Sequence, residues 1–318
     1  MTRPVLIVDG MNFFMQHFVA NPSLGLHGNH IGGVIGFMKA LGYLSDKIGP
    51  RKIIVVWEGG GSSRRRSIYK NYKNGRRPQK LNRYYGGEIP DTIQNRDDEL
   101  SMLISLLRHT PVRQIYVEDC EADDVIAYAS RRMFKNERVV VVSSDKDLYQ
   151  LLSNRIIQWS PGKKSFVTLK DVKKKFGFHV NNFCTARAFI GDPSDNLDGV
   201  PRVGFASLLK RFPEMAEENF VSVEHIVKEC EKRVENSTLK IYTNIVENSD
   251  IAKRNWRLMY LDTNNLSAFQ IKKIEENILN EELSMNKIGF IRDMLRRGIN
   301  NFDADSFFAS IRAVTRRA

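Results

Sequence analysis

The sequence predicts an α/β fold in which a mostly parallel central sheet is covered by helices on both faces. Short β-branched runs recur along the first half, segments of helical periodicity separate them, and acidic residues stand where several runs end. The runs are Val5–Val8, Ile53–Trp57, Ile115–Val117, Val139–Val142 and Ile156–Trp159. Each is continuous rather than alternating, which suits strands buried on both faces. Helical patterns lie between them, over roughly Ile31–Asp46, Asp97–His109 and Ala122–Phe134. Strands and helices in alternation give a sheet with helices on either side. In open sheets of this kind ligands bind beyond the carboxyl ends of the strands. Asp9, Glu58 and Asp145 fall at or just past such ends.

The segment Gly59–Tyr85 interrupts the pattern. It opens on three glycines and two serines, then holds nine basic residues and no acidic one: Arg64, Arg65, Arg66, Lys70, Lys73, Arg76, Arg77, Lys80 and Arg83. Tyr69, Tyr72, Tyr84 and Tyr85 are interleaved with them. A solvated loop is the plain reading. The mixture favours a strand-gripping element, because cations meet phosphates while rings stack on bases.

After Asp195 the chain reads as mostly helical. Asn196–Phe212 reads as helix, short turn, helix, with Gly199, Val200, Pro201, Arg202, Val203 and Gly204 as the turn. Its glycines let the backbone approach a partner closely. The N–H groups of the following helix can receive a phosphate. Glu224–Val246 and Ile251–Leu261 read as further helices, and the tail from about Asn286 to Ala318 as helical.

Length and charge set the outer bounds. The 318 residues suffice for one large domain or two modest ones with a sizeable core. With 49 Lys and Arg against 37 Asp and Glu, the formal charge is +12. A basic surface attracts phosphates while clustered acids hold metal, the pattern of a nucleic-acid enzyme; charge alone suits a generic basic protein equally well. Cys120, Cys184 and Cys230 are far apart, so neither a disulfide scaffold nor a zinc site is expected, and a reducing cytoplasm is. The apolar start at Pro4–Val8 is too short for a signal peptide. No apolar stretch approaches the ~20 residues that span a bilayer.

The acids carry the chemistry. They form three clusters: Glu121, Asp123 and Asp124; Asp145 and Asp147; Asp192 and Asp195. Asp145 and Asp147 share a face if the strand continues. Asp192 and Asp195, three apart, share a face of a helical turn, as do Glu121 and Asp124. Two carboxylates about 4 Å apart repel by about 4 kcal/mol at an effective dielectric of 20. Divalent cations remove that penalty, and all-oxygen ligands favour Mg²⁺ or Mn²⁺ over zinc. Two such ions held roughly 3.5–4 Å apart activate a water and stabilise a leaving oxygen. Taken singly, each cluster is also what a helix start or a solvated turn looks like.

These residues resemble a known family. Glu121-Ala-Asp-Asp-Val-Ile-Ala127, Ser144-Asp-Lys-Asp-Leu-Tyr-Gln-Leu-Leu152 and Gly191-Asp-Pro-Ser-Asp-Asn-Leu-Asp-Gly-Val200 are similar to motifs of the structure-specific 5′ nucleases. That family includes flap endonucleases, bacteriophage 5′–3′ exonucleases (one historically called ribonuclease H) and the 5′ nuclease domain of bacterial DNA polymerase I. Ile7-Val-Asp-Gly10 and Tyr72-Lys-Asn-Gly-Arg-Arg-Pro78 match further motifs, in family order over about residues 4–212.

The resemblance implies a PIN-like, mostly parallel sheet flanked by helices, with a helical arch at about 59–96, as the catalytic region 1–180. It implies a helical DNA-binding region over 181–318, with a helix–three-turn–helix motif at about 196–212. Asp9, Glu58, Glu121, Asp123 and Asp124 would bind or support a first Mg²⁺, for which Mn²⁺ can substitute. Asp145 and Asp147 would lie between two sites, with Asp192 and Asp195 at the second. Lys73 and Arg76 would reach the scissile phosphate, where a cation neutralises developing charge. Arg64, Arg65, Arg66, Lys70, Arg77 and Lys80 would grip the strand, and Tyr72 would stack on a terminal base. Gly199, Val200, Arg202, Val203 and Gly204 would hold duplex phosphate, with a potassium ion in many relatives.

The implied activity is hydrolysis near the 5′ end of branched or nicked DNA and RNA–DNA hybrids, by a monomer in the cytoplasm of a bacterium or phage-infected host. It would remove primers and flaps in replication. Where the family usually has Asp after its second strand this chain has Glu58, so direct ligation, ligation through water and no ligation all stay open. Pro201 and Arg202 alter the usual turn. Two rival readings stay open as well: a branched-DNA-binding protein with weak or no cleavage, and another acid-rich metal fold such as a PIN-type ribonuclease or a topoisomerase-primase-like domain. A single-strand-binding protein or sliding clamp is a candidate partner. Asn301-x-x-Ala304-x-x-Phe307-Phe308 lacks the Gln and large aliphatic of a clamp motif and reads better as terminal-helix packing.

Overall fold

Three strands carry runs of four consecutive Val, Ile or Leu residues, and the sheet built around them is buried on both faces. The computed structural model describes residues 2–75, 93–280 and 285–315. Strands β1 (Val5–Asp9), β2 (Lys52–Trp57), β3 (Arg113–Tyr116), β4 (Val139–Val142) and β5 (Ile156–Ser160) pair in parallel in the order β3-β2-β1-β4-β5. A short β6 (Ser165–Val167) adds an antiparallel edge to β5. Alternate side chains point to opposite faces. Leu6, Val8, Ile53, Val55, Val140 and Val142 therefore enter one core, and Val5, Ile7, Ile54, Val56, Val139 and Val141 the other.

The helices follow in chain order as α1 (Gly10–Ala20), α2 (Gly32–Ile48), α3 (Ser63–Ile68), α4 (Ile93–Leu107), α5 (Ala122–Tyr128), α6 (Leu169–Phe176) and α7 (Val180–Ile190). Then come α8 (Phe205–Arg211), α9 (Val223–Val234), α10 (Lys240–Glu247), α11 (Ser249–Met259), α12 (Ala268–Leu279), α13 (Lys287–Arg296) and α14 (Ala304–Ile311). One face of the sheet is covered by α1, α2, α4, α13 and α14, and the other by α5 and α12. A separate core joins α7 through α11 around Phe189, Leu208, Phe212, Ile226 and Ile245. Buried charge anchors α4: its Glu99 accepts the Val34 N–H at the start of α2 (3.1 Å) and bonds the buried His30 ring.

The strand readings hold to within two residues at each end, and the expected mostly parallel sheet is present. Four other expectations are corrected. Asn196 takes left-handed backbone (φ 59°), so no helix starts there. The helix pair is instead α7 and α8, joined by the loop 191–204. The helix expected over Ala122–Phe134 widens after Tyr128 into a π turn at Ala129–Met133. The single helix expected over Glu224–Val246 breaks where the Ser237 hydroxyl takes the Leu239 N–H (3.4 Å), the local competition that makes Ser a poor helix interior residue. Helices α12, α13 and α14 pack on the two faces of the sheet rather than with the helical region that begins after residue 180.

Phe307 and Phe308 are buried in that packing, as the terminal-helix reading of their motif requires. No described helix is long and apolar enough to cross a membrane.

The strand order reverses between β1 and β4, and this switch point is where open α/β sheets place ligands. Asp9 ends β1 and Asp145 follows β4, so the two acids flank it.

Phe307→Ala should destabilise the chain by about 3–5 kcal/mol in urea unfolding, as loss of a buried ring from a packed core does. A change below about 0.5 kcal/mol would detach α14 from the core.

Candidate functional site

The turn after β4 is tied to the end of β1 by one hydroxyl. Ser143 Oγ donates to the Asp9 carboxylate (2.9 Å) and accepts the Asp145 N–H (3.0 Å). Asp9 also caps α1 through the Asn12 N–H (3.1 Å). The Asp145 carboxylate takes the Asp147 N–H (2.8 Å), and the Gln158 amide holds the carbonyls of Ser143 and Asp145 from β5 (2.7 and 2.9 Å).

Glu58 follows β2 and accepts the Ala122 N–H at the start of α5 (3.4 Å). The next residue must be glycine for this approach: a Cβ at Gly59 would stand 1.7 Å from the Val117 carbonyl oxygen. Asp123 lies in the first turn of α5, where the helix dipole favours an anion. Asp9, Glu58, Asp123, Asp145 and Lys73 all line one cleft of about 750 Å³.

A second group lies beside the first. Asp147, Asp192 and Asp195 bring carboxylate oxygens within 4.8 Å of one another. Arg187, on α7, bonds Asp147 (3.1 Å) and Asp192 (2.5 Å). The spacing expected to put Asp192 and Asp195 on one helical turn is met by a short 3₁₀ turn, Pro193–Asp195, capped by Asp192.

Electrostatics separates the acids into two kinds. Burial lifts the Asp9 carboxyl to about 7, with Asp145 and Glu58 adding to the rise. Burial lifts Asp147 to about 7 as well, helped by Asp145 and resisted by Arg187. Glu58, Asp123 and Asp145 are also raised, burial being the main cause in each. Glu121 goes the other way: burial pushes it up, but Arg65 and Lys73 outweigh burial and bring it below the usual range. Asp192 is likewise lowered, Arg187 and Ser194 overcoming burial. The cleft acids thus share an excess of negative charge that Lys73 offsets only in part. An all-carboxylate set of this kind fits a hard divalent cation.

Several sequence expectations change here. The sequence groups Arg65 with the strand-gripping cations, yet it is 1% exposed and forked onto Asp124 (2.5 and 2.8 Å). Asp124 is therefore engaged by an arginine rather than turned to the cleft. Glu121 is held by Lys73 (2.8 Å) and the Tyr72 hydroxyl (3.2 Å). Tyr72 is 8% exposed and packs with Cys184, Leu197 and Leu258, which leaves its ring no face for a base.

In the turn 191–204, Val200 and Val203 are core residues and Gly199 lies against the Ile190 carbonyl. The N–H groups of Val200, Val203 and Gly204 bond Phe189, Val200 and Ser207. Of that set, Arg202 is exposed. Arg66 and Lys70 are exposed and Arg64 is partly so. Arg76, Arg77 and Lys80 lie outside the described residues. Ser143 and Arg187 were not foreseen, although a lone Arg in the apolar α7 sequence was a readable signal.

A family model described as "5′-3′ exonuclease, N-terminal resolvase-like domain" matches residues 4–177. The chain belongs to this 5′-3′ exonuclease family. A 5′-3′ exonuclease of Buchnera aphidicola subsp. Schizaphis graminum is 25% identical over 91% of this chain and 93% of that protein. A flap endonuclease Xni of Shewanella woodyi is 27% identical over 84% of this chain and 98% of that protein. The bacteriophage T5 flap endonuclease, in a pseudo-enzyme–product complex with DNA and metal ions, superposes with a TM-score of 0.63 at 20% identity, over 93% of this chain and 99% of that one. At that identity the likeness is one of fold. The exonuclease family is one of nucleases, and this member has a mostly parallel sheet, an acid-lined cleft and a group of three further carboxylates.

The raised acids predict a pH effect. Asp9 and Asp147 sit near 7 in the folded chain against an ordinary 3.8. The folded chain binds more protons between those values, so this contribution to stability is complete below about 4 and lost as pH rises through about 7. Without divalent cation, Asp9→Asn should flatten the fall of Tm between about pH 5 and pH 8. Mg²⁺ should raise the wild-type Tm more at the higher pH, because cation and proton compete for the same oxygens. An equal rise at both would remove these acids from cation binding.

Proposed function

We propose that this exonuclease-family chain is a Mg²⁺-dependent structure-specific nuclease. It hydrolyses phosphodiesters near the 5′ end of branched or nicked DNA and RNA–DNA hybrids, and so removes primers and flaps. The observation that carries this reading is the gathering of Asp9, Glu58, Asp123 and Asp145 in one cleft whose rim holds Lys73, the last stretch of the basic segment that is described.

Asp9, Glu58, Asp123 and Asp145 would hold one cation, and Asp147, Asp192 and Asp195 a second. When bound, such ions supply a nucleophile at neutral pH and neutralise charge on the attacked phosphate. Mn²⁺ serves in place of Mg²⁺. The protein's own groups do the rest. Ser143 and Asn12 fix the Asp9 carboxylate, and Gln158 fixes the backbone that carries Asp145. Lys73 moves its ammonium from Glu121 toward a phosphoryl oxygen, which counters the charge that builds there. Arg64, Arg66 and Lys70, with Arg76, Arg77 and Lys80, track the single strand. Arg202 holds a duplex phosphate at the turn.

Cleavage of a 5′-flap duplex, labelled at either end, tests the reading. With Mg²⁺, cuts should fall near the junction or 5′ end, and EDTA or Asp145→Asn should abolish them. Tight binding without cuts would leave a branched-DNA-binding protein instead. Lys73→Ala should lower kcat on the order of 10²–10³-fold, as loss of a group that stabilises transition-state charge does. Neutralising Arg64 and Arg66 should flatten the salt dependence of binding by about 0.9 for each phosphate they neutralise. An unchanged slope would take both out of the interface.

A further inference from the structure

Arg65 has no part in the mechanism above, yet few side chains are better held. Its Nε donates to the Leu258 carbonyl at the end of α11 (2.8 Å). Nη1 and Nη2 donate to the two Asp124 oxygens of α5 (2.5 and 2.8 Å), and Nη1 stands 3.3 Å from Glu121. One guanidinium thus joins α3, where the basic segment begins, to α5 and α11. The fork suits arginine and no other side chain, since a carboxylate is met by two parallel N–H bonds.

The charges around it balance in a particular way. Glu121 is buried and Asp124 largely so; Arg65 bonds Asp124 and stands against Glu121, Lys73 bonds Glu121, and the Arg64 charge also acts on Asp124. The Lys73 backbone is pinned separately, its N–H donating to the Asp195 carbonyl (2.9 Å). Remove Arg65, and Asp124 loses its bonded partner while Glu121 keeps Lys73 alone as its bonded cation. The Lys73 ammonium would then be drawn between both acids and held from the cleft.

We propose that Arg65 is a positioning residue that sets the availability of Lys73: by taking Asp124 for itself, it leaves Lys73 bound to a single carboxylate it can leave for phosphate. The proposal rests on the nuclease reading and assigns a role to a residue that touches neither substrate nor metal.

The test is a set of variants on the 5′-flap duplex. Arg65→Met should lower kcat on the order of 10²-fold, the scale of a misplaced catalytic group, with KM changed less than about threefold. Adding Asp124→Leu removes the orphaned carboxylate, restores one acid to one lysine, and should return kcat to within about tenfold of wild type. In a Lys73→Ala background Arg65→Met should cost almost nothing more. An equal loss in that background, or no recovery in the double variant, would overturn the proposal.

The double variant leaves no buried charge unpaired, so it tests the idea even if Arg65→Met alone fails to fold. Wild-type cleavage in the same gel reports on the nuclease reading separately. Acylation of the Lys73 amine by a succinimide ester, mapped by mass spectrometry, needs no activity. Labelling should fall several-fold in Arg65→Met and recover with Asp124→Leu, and labelling unchanged from wild type would count against Arg65.

Discussion

The structure turns on like charge concentrated where water is scarce. Asp9, Glu58, Asp123 and Asp145 meet in one cleft, and burial raises all four. In isolation such a cluster is a liability. Around it the protein spends its polar groups on geometry rather than on neutralisation. Ser143, Asn12 and Gln158 fix where the oxygens or the backbone beside them lie without cancelling the charge. Under the proposed function, the same excess that destabilises the bare chain would give a bound divalent cation its affinity.

Arginine is placed where charge must be settled inside the fold. Arg187 closes Asp147 against Asp192, and Arg65 closes Asp124 against Glu121. Both are mostly buried, where an unpaired partner would be costly. At the far side of the basic segment Glu99 plays the reciprocal part with His30 and the start of α2. The basic segment is therefore seated near its start by the buried Arg65, and α4 beyond it by the buried Glu99, whereas Arg66 and Lys70 are exposed.

Much of this was legible in the sequence, and the reasons differ by residue. Asp9, Glu58 and Asp145 were readable because an acid after a continuous apolar run marks a strand end, and strand ends converge. The sheet was readable for the same reason. Arg65 was not, because a run of three arginines looks uniformly solvated and its partner Asp124 is 59 residues away. Tyr72 was misjudged likewise, since its burial depends on Leu258 and Leu197 arriving from elsewhere. The helix expected at Asn196 failed on backbone conformation: Asn takes left-handed angles more readily than most residues, and here it does. Helix α6 escaped notice although its Thr168 and Asp171 form a capping box, a signal that can be read without any tertiary knowledge.

The packing of α14 on α2 also has a consequence in time. Ser45 bonds the Ser310 carbonyl, 265 residues later, and Phe307 and Phe308 seal the core that α1 and α2 begin. A ribosome adding about 5–20 residues each second needs roughly 13–53 s to travel that distance. Throughout that interval the side of α2 that receives α14 lacks its cover. The apolar side chains of α1 and α2 are a surface that a chaperone can hold, or that a neighbouring chain can meet first.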